Sequence, residues 1–208
     1  MSSSPKHQLT EAEYLAIERR AEFRSEFYRG EMFAMAGASR RHNRIVTNLV
    51  ARLDQQLRDR PCNVYSNDMR ILIPNAGLYT YPDIVITCGA EQFLDDTEDT
   101  LLNPLVIIEV LSDSTEAYDR GRKFEQYQKI ASLQTYVLVA QNAQRVEQYA
   151  RQADSKFWTY SESHEAGEVI TIAAINCELM LEEVYSKVEP TTETQVGDTL
   201  PENAGGVS

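Results

Sequence analysis

The chain has 208 residues, 42% hydrophobic and 25% charged, with a formal net charge of −12. That length closes one sizeable core, and no stretch approaches the roughly 20 apolar residues of a membrane span. The acidic balance excludes tight, sequence-independent duplex binding through overall charge, because that affinity comes from cations neutralising phosphates. Residues Met1–Gln8 are polar and lack the apolar core of a secretion signal, so the expected setting is cytoplasmic. Along the chain, Thr10 followed by Glu13 matches a capping box and predicts a helix through Leu15 and Ile17 towards Phe23. A hairpin follows, with Glu26–Tyr28 and Glu31–Met35 flanking Arg29-Gly30. From Ser39, the four-residue recurrence of Ile45, Leu49, Leu53 and Leu57 predicts an amphipathic helix ending before Pro61.

The middle of the chain reads as sheet. Val64–Ile73 places Met69, Ile71 and Ile73 on one face, and a turn at Pro74, Asn75 and Gly77 precedes two apolar runs, Asp83–Cys88 and Leu105–Leu111. The second run is almost wholly hydrophobic, as expected of a strand covered on both faces. Ser112–Ser114 are placed to cap a helix carrying Tyr118, Phe124, Tyr127 and Ile130, and Thr135–Ala140 is another strand. Arg145–Ala150, Phe157–Ser161 and Val169–Ala174 read as additional antiparallel strands before a short helix near Leu181–Lys187. The order predicts an α/β domain over residues 1–188, a mixed central sheet flanked by helices, and an acidic disordered tail over 189–208. Cys62, Cys88 and Cys177 are odd in number and far apart, which predicts reduced, buried thiols and not a disulfide. Positive charge gathers at Arg40, Arg41 and Arg44 and again at Arg120, Arg122 and Lys123, so a local phosphate-facing surface is compatible with an acidic chain.

Glu109 is the most informative residue, because it interrupts Leu105–Leu111 where a carboxylate costs several kcal/mol unless a cation, metal or donor set compensates. A strand-end Glu or an Arg-paired Glu is the alternative. Asp83 begins the neighbouring strand after Tyr81-Pro82, and Pro82 cannot donate to a ladder. Together the two acids would form an oxygen cage for a hard divalent ion such as Mg²⁺ or Mn²⁺. Lys123 shares a helix face with Tyr127 and Ile130 and is a candidate to point inward, against the ordinary solvated lysine. Ser112 and Ser114 lack a nucleophile elbow around them, and neither a phosphate-cradling loop nor a dinucleotide fingerprint is present.

Tyr81-Pro82-Asp83, then Ile108-Glu109-Val110-Leu111-Ser112, then Asp119 with Lys123 and Tyr127, resembles the Uma-two family of endonucleases within the PD-(D/E)XK restriction-endonuclease-like superfamily. Glu26-Phe27-Tyr28-Arg29-Gly30-Glu31 resembles that family's hairpin, and His42 with Ile45 and Leu49 its first long helix, so the likeness spans roughly Thr10 to Tyr149. The superfamily pattern puts Lys two residues after the acid, but that position is Leu111; the resemblance implies that Lys123 has taken the role. It further implies Glu26 as an additional metal-shell carboxylate and His42 as a phosphate or site contact, beside the ordinary readings of a hairpin salt bridge and a helix-start residue. The expected function is metal-dependent hydrolysis of nucleic acid, taken to be DNA, by a homodimer; the alternative is a catalytically idle binding or assembly module of the same fold.

Overall fold

The first helix, α1 (Glu11–Glu18), starts on the predicted cap: Thr10 Oγ1 accepts from the Glu13 N–H and Glu13 reaches back to the Thr10 N–H at 2.8 Å. It stops at Glu18, short of the expected extension, and Ile17 and Phe23 are exposed. Strands β1 (Ser25–Tyr28) and β2 (Glu31–Ala34) form the predicted hairpin around Arg29 (φ 49°) and Gly30 (φ 88°), the paired positive φ values of a tight two-residue turn. Gly30 is required twice over, since a Cβ there would stand 2.7 Å from the Gln8 side chain. Helix α2 (Arg40–Leu57) buries Ile45, Leu49, Leu53 and Leu57 along one stripe, as its periodicity demands, with Ser39 as its side-chain cap.

The computed structural model describes residues 8–153 and 155–189, so the expected acidic tail, apart from Glu189, lies outside the described residues. The region read as strand from Val64 to Ile73 is two strands in different sheets, β3 (Cys62–Ser66) and β4 (Arg70–Ile73), separated by Asn67 at φ 57°. A short strand absent from the sequence reading, β5 (Leu78–Thr80), pairs with both β4 and β1. Next come β6 (Ile84–Cys88), β7 (Thr100–Leu101), β8 (Val106–Leu111), β9 (Thr135–Ala140), β10 (Val146–Arg151) and β11 (Trp158–Ser163). One mixed sheet runs β11-β10-β9-β8-β6-β3, with only β8 and β9 parallel; a second runs β2-β1-β5-β4-β7. An antiparallel pair, β12 (Val169–Ile172) and β13 (Cys177–Met180), precedes the short helix α5 (Leu181–Val184). The fold is therefore mixed α/β with mixed sheets, flanking helices and extra antiparallel strands. No helix among the described residues is long and apolar enough to cross a membrane.

Alternation along β6 and β8 assigns their two faces. Ile84, Ile86, Val106, Ile108 and Val110 pack with α2 and the β12–β13 pair, whereas Val85, Ile107 and Leu111 pack against β4, β5 and the helical segment after β8. Glu109 falls on the second face, buried to 4% exposure. The linker after β8 is helical but irregular: α3 (Glu116–Tyr118), a π-wound turn (Asp119–Lys123) and α4 (Phe124–Tyr127). Ser112 and Ser114 bond to each other and to Thr115 and do not cap that segment by side chain, and Ile130 lies beyond it.

The cysteine expectation is overturned. Cys62 and Cys88 are direct cross-strand partners in β3 and β6, with Cα atoms 4.0 Å apart, and form a disulfide; Cys177 alone is free and buried. A separation of 26 residues carries no information about cross-strand register, which is what brings the two sulfurs together. Thiol titration of the unfolded, unreduced protein should give one reactive cysteine per chain and three after reduction. Replacing Cys62 and Cys88 together by Ser should lower the unfolding free energy in urea by about 2–4 kcal/mol. Three thiols before reduction would refute the pairing.

Candidate functional site

The register that opposes Ile84 to Ile108 carries Asp83 opposite Glu109, one step further along the antiparallel pair. Opposed residues present side chains on the same sheet face, so the two acids converge where β6 begins. The Asp83 N–H lies 3.4 Å from Glu109 Oε2, and the Val110 N–H donates to Asp83 Oδ2 at 2.7 Å. His42, in the first turn of α2, places Nε2 3.0 Å from the same Asp83 Oδ2. Behind Asp83, the Tyr81-Pro82 approach is held by a buried polar network. The Tyr81 hydroxyl donates to Glu18 at 2.9 Å and accepts from Arg70 Nη1 at 2.9 Å. Arg70 also donates Nε to Thr100 at 2.8 Å, while its Nη2 lies 2.8 Å from Asp99 as an ion pair out of line for a hydrogen bond.

Lys123 points inward, 7% exposed, from the last position of the π-wound turn. Its Nζ lies 2.8 Å from Glu109 Oε1, 3.5 Å from Asp119 Oδ1 and 3.6 Å from Glu26 Oε1. The Tyr127 hydroxyl, one helical turn on, donates to the same Glu109 Oε1 at 2.7 Å, and Thr80 of β5 hydrogen-bonds Glu26. Arg120 fastens the π-wound turn to β10 through Glu147 at 2.5 Å and pairs with Glu116. The second basic concentration in the sequence is therefore no phosphate-facing surface, because Arg120 is engaged and Lys123 is buried.

Burial pushes the Glu109 carboxyl up to about 8, with Asp83 and Asp119 adding repulsion and Lys123 opposing it. Asp119 is raised for the same leading reason. Burial works against the Lys123 charge, yet Glu109, Glu26 and Asp119 more than offset it, and the ammonium is held well above its ordinary range. Tyr127 is raised by burial and by the adjacent Glu109, so it remains a hydroxyl donor. Among the described residues no group of three or more His, Cys, Asp or Glu side chains is disposed to hold a metal ion. Asp83 and Glu109 are nonetheless a matching pair of hard oxygen donors, and the repulsion that lifts Glu109 is relieved by a divalent cation; Mg²⁺ needs only one or two protein carboxylates. An ion at this site would rest on those two.

All five residues singled out from the sequence, Glu26, His42, Asp83, Glu109 and Lys123, lie in one contact network. Sequence reasoning missed Thr80, which sits on a strand too short to show a pattern, and the hydroxyl role of Tyr127, which reads as one more apolar-face residue.

Residues 11–182 match the Uma2 family, described as "Putative restriction endonuclease". Two relatives from Synechocystis sp. are both described as uncharacterized. The protein sll1609 is 39% identical over 154 residues, covering 74% of this chain and 86% of its own length. The protein slr1290 is 31% identical over 185 residues, covering 88% and 94%. In three dimensions the chain is similar to a "putative nuclease belonging to DUF820" from Anabaena variabilis, with a TM-score of 0.71 at 17% identity, covering 86% of this chain and 98% of that one. At that identity the likeness is one of fold.

The raised Glu109 carboxyl has a stability consequence. Between its ordinary value near ~4.3 and about 8, the folded protein holds a proton that the unfolded chain has lost, so stability falls as pH rises through this window. Glu109→Gln removes that dependence. In chelator, its melting temperature should match the parent near pH 5 and exceed it increasingly towards pH 9; a gap independent of pH would contradict the assignment.

Proposed function

The chain belongs to the Uma2 family, and on that premise we propose that it is a metal-dependent endonuclease hydrolysing phosphodiester bonds of nucleic acid, with DNA as its substrate. The observation that carries this reading is the opposition of Asp83 and Glu109 across β6 and β8 with the Lys123 ammonium against Glu109. Bound at the two acids, Mg²⁺ or Mn²⁺ would supply an activated water and neutralise charge developing on the phosphate.

The chain's own groups do the rest. His42 Nε2 and the Val110 N–H hold Asp83 through Oδ2, while Tyr127 and Lys123 hold Glu109 through Oε1. Each carboxylate is thereby oriented before substrate arrives, which is what partners of metal-binding groups supply. Lys123 is the cation nearest the pair, and Glu26 and Asp119 keep it charged. In this reading its ammonium orients the attacking water or stabilises the crowded phosphate, a preorganised charge where negative charge develops. The protein works in the cytoplasm as a homodimer that presents one such site to each strand of a duplex.

One observation favours a second reading, an idle binding or assembly module: three carboxylates already surround the Lys123 ammonium, leaving it no vacant direction until one of them is drawn off. The two readings part experimentally. With Mg²⁺ or Mn²⁺, the purified protein should cleave DNA, Asp83→Ala and Glu109→Gln should abolish cleavage, and Lys123→Gln should slow it by about 10²–10³-fold. Calorimetry should show divalent-ion binding that disappears in Glu109→Gln and weakens by about 10–100-fold in His42→Ala. Cleavage undiminished in both acid variants would end the site assignment, and absence of both cleavage and metal binding would leave the idle module.

A further inference from the structure

With Arg120 and Lys123 turned to internal partners, the outward-facing positive charge of this acidic chain gathers in one place. Arg40, Arg41, Arg44 and Lys187 line a groove of about 800 Å³, against two carboxylates, Asp113 and Glu189. The local balance is thus a surplus of two cations on a chain of net charge −12. Arg40 is paired with Glu189 at 3.1 Å and Arg41 donates to Asn142 at 3.4 Å. Arg44 and Lys187 make no ion pair among the described residues, and Lys187 is exposed.

The groove adjoins the site along two elements. Helix α2 supplies both the arginines and His42, which contacts Asp83. Strand β8 supplies Glu109 and, four residues later and past its carboxyl end, Asp113 on the groove wall. Four residues of extended chain span about 13 Å. At a rise of about 3.4 Å per nucleotide along a strand of duplex, that is on the order of four nucleotides. A crevice outside the carboxyl ends of parallel strands, here β8 and β9, is also where open α/β sheets seat their ligands.

The geometry points to this groove as the seat of the DNA phosphate backbone on one side of the cleaved bond, with Arg44 and Lys187 as two phosphate contacts. The inference rests on the nuclease reading for its substrate and deepens it. It explains how a chain whose overall charge repels DNA binds it: the attraction is confined to a groove beside the acids, and the remaining surface discourages other modes of binding.

The test needs no cleavage. Binding of a labelled 30-nucleotide DNA, as duplex and as single strand, is measured by anisotropy in chelator between 50 and 200 mM monovalent salt. Each phosphate contact contributes about 0.9 to the slope of log affinity against log salt on duplex and about 0.7 on single strand. Arg44→Gln combined with Lys187→Gln should therefore flatten the slope by about 1.8 and about 1.4 respectively, while Lys156→Gln, an exposed lysine outside the groove, should leave it unchanged. If the double variant fails to fold, Lys187→Gln alone, outside any helix or strand, should flatten the duplex slope by about 0.9. A slope in the folded variant equal to the parent's, or no DNA binding by the parent, overturns the groove. Salt-dependent binding by the parent without metal-dependent cleavage would instead overturn the nuclease reading and leave the groove standing.

Discussion

The contact between Lys123 and Glu109, 2.8 Å long and almost wholly out of water, is what the rest of the site is arranged around. Taking two such charges out of solvent costs several kcal/mol each, and their attraction returns that only with good geometry and further hydrogen bonds. Those bonds are present, since Tyr127 donates to the same oxygen and Asp119 and Glu26 stand on the other sides of the ammonium. A hydrophobic pair of equal volume would serve a stable core as well or better. The arrangement makes sense as a means of holding an acid and an amine at fixed positions beside Asp83, and the local winding of the chain is subordinate to it.

The elements that deliver Asp83 are equally specific. Pro82 offers no N–H to a ladder, so β6 starts only at Ile84, and the residues before it are fixed by side chains instead of by sheet hydrogen bonds. Tyr81, Arg70 and Glu18 do that work from the interior, and Asp99 adds a charge that Arg19 shares. The acidic block at residues 91–99 thereby loses its appearance as a partner surface. Asp95 and Asp99 both bind Arg19, and Glu91 accepts from Tyr65. Arg19 holds the Asp99 carboxyl well below the usual carboxylate range, despite the opposing effect of burial.

Much of this was legible in the sequence, for reasons that can be named. Helix α2 announces itself because a four-residue apolar recurrence has one structural solution, and the β1–β2 hairpin because Arg29-Gly30 supplies paired positive φ values. Glu109 stands out because the strand around it is otherwise apolar on both faces. The inward turn of Lys123 was readable from its spacing to Tyr127, although the turn is π-wound and not α-helical. What escaped depends on pairing in three dimensions: the division of β3 and β4 between two sheets, the placement of three-residue β5, and the register that joins Cys62 to Cys88. None of these leaves a trace in local periodicity, and Thr80 was lost with β5.

The wide turn at Asp119–Lys123 spreads five residues over the arc that an α-helix covers with about 3.6. It is also where the amine enters the interior, in place of the strand position occupied by Leu111, itself packed in the core. Chain length in this turn is consequently a coordinate of the site. Loss of one residue between Tyr118 and Lys123 would rewind the segment and swing the lysine about 100° around the helix axis, with every side chain of the site still encoded. Insertions and deletions here, more than substitutions, are the changes by which relatives of this fold would gain or lose their chemistry.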